Sequence, residues 1–153
     1  MSFWLADNNI EFIEQPFKST NLFDTVQLKN KSPLPIIADE NSINASDIPK
    51  IENVFDGINI KLMKCGSLFE AIKMVKMARE RDMQIMLGCM IESSVAITAA
   101  AHISPLVDYA DLDGNLLINN DPYKGVTVEN GRLILPEAHG LGVSLINKDS
   151  SLR

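Results

Sequence analysis

INIKLMKCGSLFEAIKMVKMARERDMQIMLG, residues 58–88, is the stretch that decides the fold. It begins with a short apolar run, INIKL (58–62), and ends with another, QIMLG (84–88). Near-continuous apolar character, in place of strict alternation, is what a strand covered on both faces shows. Between the two runs the spacing predicts a helix over 67–81, with Leu68, Ala71, Ile72, Val75 and Ala78 near one face. Ser67 and Glu70 stand in capping-box spacing, so two orphan N–H groups can be satisfied reciprocally. Arg79 and Arg81 suit the negative end of the helix dipole. Strand, helix and strand in this order imply a parallel βα unit.

Working outward, IEFIE (10–14), PIIAD (35–39) and YADLD (109–113) read as further buried strands. Segment 93–103 is an alanine-rich second helix suited to close packing on a sheet. Segments 20–28 and 45–52 carry less regular helical spacing, the latter interrupted by Pro49. The expected fold is therefore α/β, a partial TIM (β/α) barrel of about five parallel units. A closed barrel of eight units takes about 250 residues, roughly 31 per unit, so five units cannot close one. From residue 114 the chain changes character, with a hairpin in GVTVENGRLIL, where Asn130-Gly131 supplies the positive φ of a tight turn, and a glycine-rich HGLGV. No repeat or linker marks a second domain. A single domain over 1–153 is expected, with barrel strands at about 10–113 and a tail over 114–153.

The 153 residues are 46% hydrophobic, enough for one core. They carry 14 Lys+Arg against 20 Asp+Glu, a formal net charge of −6. An acidic chain without a basic cluster is a poor binder of phosphate backbones, and no nucleic-acid partner is expected. Surplus carboxylates instead leave room for a hard cation. Cys65 and Cys89 make no disulfide framework and read as free thiols of a reducing compartment. The start, MSFWLADNNIEF, lacks the cationic opening of a secretory signal. No window approaches the roughly 18 apolar residues of a membrane span. A cytoplasmic chain with no membrane partner is expected. His102 and His139 are too few and too separated for a zinc site.

Polar residues recur where each strand ends: Glu14, then Asp39 and Glu40, then Lys61, then Glu92 after the fourth, then Asp111 and Asp113. In a parallel βα barrel these ends share one rim, where catalytic groups collect. Glu14 and Asp39, from adjacent strands, are two oxygen ligands of the kind Mg²⁺ takes, with substrate oxygens or water completing the octahedron. Pairing of Glu14 with a lysine of a neighbouring loop is the structural alternative. Lys61 lies in an apolar run, where partial burial and nearby Lys64 are expected to depress its pKa. A lysine so tuned serves as a general base near neutral pH. A structural pairing of Lys61 with Asp39 is compatible with that role. Asp111 and Asp113, two apart on a strand, project to one face and suit an ammonium group, the alternative being a solvated turn.

FIEQPF (12–17), PIIADEN (35–41), NIKLMKCGS (59–67), GCMIESS (88–94) and DLDG (111–114) resemble the enolase superfamily. The resemblance is to its muconate-lactonizing subgroup and, within that, to dipeptide epimerases of the L-Ala-D/L-Glu type. It implies an enolase C-terminal domain-like fold with Glu14 and Asp39 as Mg²⁺ ligands. Lys61 would be one of two acid/base lysines, with Glu40 and Lys64 in supporting positions. Asp111 and Asp113 would hold a substrate ammonium, with Gly88, Met90 and Glu92 lining the pocket. The implied reaction is proton abstraction α to a carboxylate through a metal-stabilised enolate, then reprotonation on the opposite face. The implied partner is a small dipeptide.

Such enzymes carry a capping domain and three barrel strands before the E-Q-P strand, with a further metal-ligand Asp and a Lys-x-Lys motif. Nothing before residue 10 supplies them, so this chain is expected to be the C-terminal part of such a barrel, partnered by an N-terminal half or by another copy of itself. Other activities of the subgroup (o-succinylbenzoate synthase, N-succinylamino acid racemase, cycloisomerase) share the metal and lysine positions. A non-catalytic interaction module is the reading from another class, because an open half-barrel exposes two strand edges.

Overall fold

In the computed structural model, which describes residues 1–146, the quoted stretch forms strand β3 (Gly57–Lys61), a one-turn helix α4 (Leu62–Cys65), helix α5 (Leu68–Arg79) and strand β4 (Gln84–Gly88). Three more strands, β1 (Ile13–Glu14), β2 (Ile36–Ala38) and β5 (Tyr109–Ala110), complete one five-stranded sheet in the order β1-β2-β3-β4-β5. All four pairings are parallel, with Glu14 opposite Ile37, Ala38 opposite Ile58, and Lys61 opposite Gly88. The crossovers contain α2 (Leu22–Lys29), α3 (Ile48–Ile51), α5 and α6 (Ser94–Ala101). A short helix α1 (Ser2–Asp7), absent from the sequence expectation, precedes β1.

The sheet is rolled. Edge strands four spacings apart would lie about 19 Å from each other in a flat sheet. The rings of Phe12, next to β1, and Tyr109 of β5 nevertheless meet at a centroid separation of 4.7 Å. The expected partial barrel is therefore present, with edges at β1 and β5. Alternation along each strand separates its two faces. Ile36, Ala38, Ile58, Ile60, Ile85 and Leu87 enter the core under the helices, which leaves Asn59, Lys61 and Gly88 on the inner face.

Several local expectations shift. The apolar stripe of α5 is Ala71, Met74, Val75 and Ala78, while Ile72 stays 47% exposed. Ser67 accepts the Glu70 N–H at 3.1 Å as one half of the capping box. Glu70 reaches away to the Ala45 N–H at 2.8 Å, so the second half is given up to join neighbouring crossovers. Pro49 does not interrupt a helix; it sits in the first turn of α3, where its missing N–H costs nothing. Helix α6 takes its cap from the tail, where the Asp121 carboxylate accepts the Ser94 N–H at 2.6 Å. The expected hairpin pairs β7 (Thr127–Glu129) with β8 (Arg132–Ile134), with φ of 50° at Asn130 and 75° at Gly131. Strands β6 (Tyr123–Lys124) and β9 (Ser144–Leu145) close the tail; residues 147–153 of the expected tail lie outside the described residues.

The amino-terminal edge of the sheet carries one device twice. Asp56 Oδ2 accepts the Ile36 N–H at 2.9 Å and Asp108 Oδ2 accepts the Ile85 N–H at 2.8 Å. Each carboxylate also holds a base from a helix end, Lys29 at 3.2 Å and Arg79 at 2.8 Å. Each aspartate thus ties a helix C-terminus and a strand start to the next strand. The Arg79 guanidinium, aided by the Ile85 N–H, holds the Asp108 carboxyl below its usual range despite partial burial. A depressed carboxylate stabilises the fold fully above its unfolded value near 3.9, and that contribution is lost as pH falls through the folded value. Replacing Asp108 by Ala is expected to cost about 1 kcal/mol at pH 7, after allowance for solvent screening of a half-exposed pair. The difference from the parent chain should shrink below about pH 4, as thermal melts across pH would show.

Candidate active site

In-register parallel strands bring their carboxyl ends to one rim. Glu14 ends β1, Asp39 follows β2, and Lys61 ends β3. Lys61 Nζ lies 3.0 Å from Asp39 Oδ2 and 3.8 Å from Glu14 Oε1. Lys64, one turn later on α4, pairs with the other oxygen of Asp39. Glu14 Oε1 also accepts from Asn59 Nδ2 at 2.6 Å. Two carboxylates and two lysines therefore meet at the rim of three adjacent strands. The structural pairing foreseen for Lys61 and Asp39 is present. Glu40, exposed beside Asp39, makes no hydrogen bond among the described residues, but its charge reaches Lys61.

The sequence expectation for Lys61 has the wrong sign. Burial does pull its pKa down and is the largest single influence. The Asp39 hydrogen bond and the charges of Asp39, Glu14 and Glu40 together outweigh it and raise the value above that of an ordinary lysine. Lys64, expected to help depress the value, pairs with Asp39 instead.

Among the described residues no group of three or more His, Cys, Asp or Glu stands ready to hold a metal. Glu14 and Asp39 are nonetheless the hard oxygen donors Mg²⁺ prefers, on neighbouring strands, and Glu14 Oε2 makes no hydrogen bond among the described residues. By donor chemistry the pair would suit as two of the ligands of such an ion. A cation there would compete with the lysine ammoniums that now neutralise the same oxygens.

A second group of sequence-expected residues meets farther along the rim. Strand β5 ends at Ala110, and Asp113 has φ −97° and ψ −1° at the start of a 3₁₀ turn (Gly114–Leu117). The alternation of a strand therefore does not align Asp111 with Asp113 as expected. The loop after β4 brings them together instead. Both line one hollow of about 290 Å³ with Cys89, Met90, Ile91 and Leu117, and among the described residues no lysine or arginine lines it. A Cβ on Gly114 would collide with the Met90 carbonyl oxygen, so only glycine lets the two loops approach. Glu92 closes its own loop by accepting the Met90 N–H at 2.8 Å and does not line the hollow. Burial, then the charges of Asp111, Asp113 and Glu92, push the Cys89 thiol pKa up.

Asn59, Ile91 and Leu117 were not singled out from sequence. Asn59 left a signal, a polar residue inside an apolar run, where burial demands a partner. It is 1% exposed, and its Oδ1 has no partner among the described residues. Ile91 and Leu117 left none, because scattered apolar loop residues are ordinary.

The family model for enolase C-terminal domain-like proteins matches residues 2–149. An L-Ala-D/L-Glu epimerase of Bacteroides thetaiotaomicron is 49% identical over 95% of this chain and 38% of its own length. The substrate-liganded structure of the L-Ala-D/L-Glu epimerase from Bacillus subtilis superposes with a TM-score of 0.84 at 31% identity, over 92% of this chain and 42% of that one. The dipeptide epimerase from Enterococcus faecalis, complexed with Mg and L-Leu-L-Tyr, gives 0.83 at 36% identity, over 93% and 42%. The chain thus spans about two fifths of the length of these relatives.

Gly88, expected in the pocket lining, does not line the hollow but abuts Asn59 and Lys61. A Cβ there would stand 2.6 Å from Asn59 Oδ1 and 3.0 Å from Lys61 Cε. Gly88→Ala is expected to cost about 1–3 kcal/mol as overpacking. Asn59→Ala should relieve part of that cost in the double variant, giving a non-additive cycle in denaturant melts.

Proposed function

Because the chain belongs to the enolase C-terminal domain-like family, we propose that it carries the cation-and-lysine wall of an active site that epimerises dipeptides. The reaction takes a proton from the carbon α to a carboxylate and returns one to the opposite face. The observation that carries this reading is the placement of Lys61 Nζ within 3.8 Å of both Glu14 and Asp39 at a strand-end rim.

Glu14 and Asp39 hold the cation in this reading. A Mg²⁺ ion held there would supply positive charge to stabilise the substrate carboxylate during loss of the α-proton. With its carboxylate partners engaged by a cation, Lys61 would lose contacts that raise its pKa while its burial, which acts the other way, would remain; an unprotonated Lys61 would serve as the general base. Its Nζ holds the proton at one face of the α-carbon. Lys64 keeps Asp39 oriented through the other carboxylate oxygen. A group for the second face, and further cation ligands, belong in the additional length of the relatives.

The hollow beside Met90 supports a substrate with a free α-ammonium. Asp111 and Asp113 line it with no cationic side chain beside them among the described residues, so a positive group would gain there by charge-assisted hydrogen bonds. An N-acylated amino acid with a neutral side chain has no ammonium to offer, which favours dipeptides over such substrates. Met90, Ile91 and Leu117 add apolar surface next to the same carboxylates.

One lysine suffices to exchange an α-proton with solvent, although inversion needs two faces served. With Mg²⁺ in D₂O, deuterium is expected to enter the α-position of an L-Ala-L-Glu or L-Ala-L-Leu dipeptide, read by proton NMR. Lys61→Gln should slow that exchange by about 10²-fold or more. Asp111→Asn with Asp113→Asn should raise the dipeptide concentration needed for half-maximal exchange about tenfold while leaving an N-succinylated amino acid unaffected. Exchange that survives Lys61→Gln unchanged would sink the reading.

A further inference from the structure

We propose that Gln15 is a positioning residue that sets the spacing of the Glu14 and Asp39 carboxylates, and through it their affinity for a divalent cation. The inference rests on the cation reading of that pair.

Gln15 has a φ of 36°, in the left-handed region that L side chains rarely adopt. Pro16 follows it and restricts its backbone further. A non-glycine residue persists in such a conformation only when its surroundings impose it. Here the imposing contacts are its own side-chain bonds. Gln15 N still donates to Ile37 O at 2.9 Å, continuing the β1–β2 ladder. In a parallel ladder the next bond would run from the Asp39 N–H to the main-chain carbonyl of Gln15. The Asp39 N–H donates instead to Gln15 Oε1, at 2.8 Å.

The amide nitrogen of the same side chain is also committed. Gln15 Nε2 donates to Phe17 O at 3.0 Å and to Asn41 Oδ1 at 2.8 Å, while Asn41 Nδ2 donates to Ser19 O at 3.0 Å. One side chain therefore joins the loop after β1 to the loop after β2. Its backbone is bonded to Glu14 and its Oε1 to the main chain of Asp39. Gln15 thereby ties the main chain that carries the Asp39 carboxylate to the main chain that carries the Glu14 carboxylate. Carboxylate spacing matters because Mg²⁺ demands near-ideal octahedral geometry. Groups that orient ligands without touching the metal commonly change affinity 10–100-fold when removed.

The experiment compares the parent chain with Gln15→Gly and Asn41→Ala. Glycine accepts a positive φ without strain, so Gln15→Gly removes the clasp and leaves the backbone free to keep its course. Mn²⁺ binding is read by water-proton relaxation, and exchange of the Asp39 amide hydrogen by NMR. Gln15→Gly is expected to weaken Mn²⁺ binding about tenfold and to speed Asp39 amide exchange, with the melting midpoint held. Asn41→Ala should shift both readouts the same way by less, and it decides the matter should Gln15→Gly not fold. Parent-like Mn²⁺ affinity and Asp39 protection in the folded variants overturn the role of Gln15 alone. A parent chain that binds no Mn²⁺ overturns the cation reading, and the role of Gln15 with it.

Discussion

Parallel pairing of β1, β2 and β3 forces Glu14, Asp39 and Lys61 to the same edge of the sheet, and most of the molecule serves that pairing. Short parallel strands are held by few ladder bonds, and here β1 and β2 have two and three residues. Their ends are therefore reinforced by side chains. Asp56 and Asp108 extend the pairing at the amino-terminal edge, each taking a strand N–H and a base from a helix end. Gln15 does the equivalent at the carboxyl-terminal edge, where the main chain has turned away. Both edges are thus secured by polar groups, and the apolar residues between them are free to fill the core.

Charge balance follows from the same geometry. Two carboxylates brought together on neighbouring strands repel unless a positive group stands between them. Lys61 and Lys64 fill that role among the described residues, and the mutual attraction raises the Lys61 pKa. A divalent cation on these carboxylates would compete with the proton on the lysine for the same negative charge. The second acidic pair, Asp111 and Asp113, has no lysine or arginine in its hollow among the described residues. One part of the rim is neutralised by its own lysines and the other, among those residues, is not. That difference underlies the division proposed between cation-and-base chemistry and substrate recognition.

How much of this was legible in the sequence depends on the range of the interaction. QIMLG is a strand over the residues its apolar run marks, because burial on both faces selects such runs. IEFIE shortens to Ile13–Glu14 and YADLD to Tyr109–Ala110, because these are edge strands and pairing, not hydrophobicity, sets their length. Met74 replaces Ile72 in the buried stripe of α5, since the angle at which the helix meets the sheet selects among equally apolar positions. Helix α1, six residues long, left no periodic signal to read.

The amino-acid sequence by itself determined the strand–helix order, the parallel sheet, the insufficiency of five units for a closed barrel, and the acidic and lysine residues at the strand ends. These are properties of local pattern, and hydrophobic periodicity carries them directly. Only the tertiary structure decided which charges meet. The sign of the Lys61 pKa, the commitment of Lys64 to Asp39, the hollow shared by Asp111 and Asp113, and the clasp of Gln15 on Asp39 all join residues far apart in the chain. Electrostatic and hydrogen-bond energies depend on distances of a few ångströms, and folding alone sets distances between segments that the sequence keeps apart.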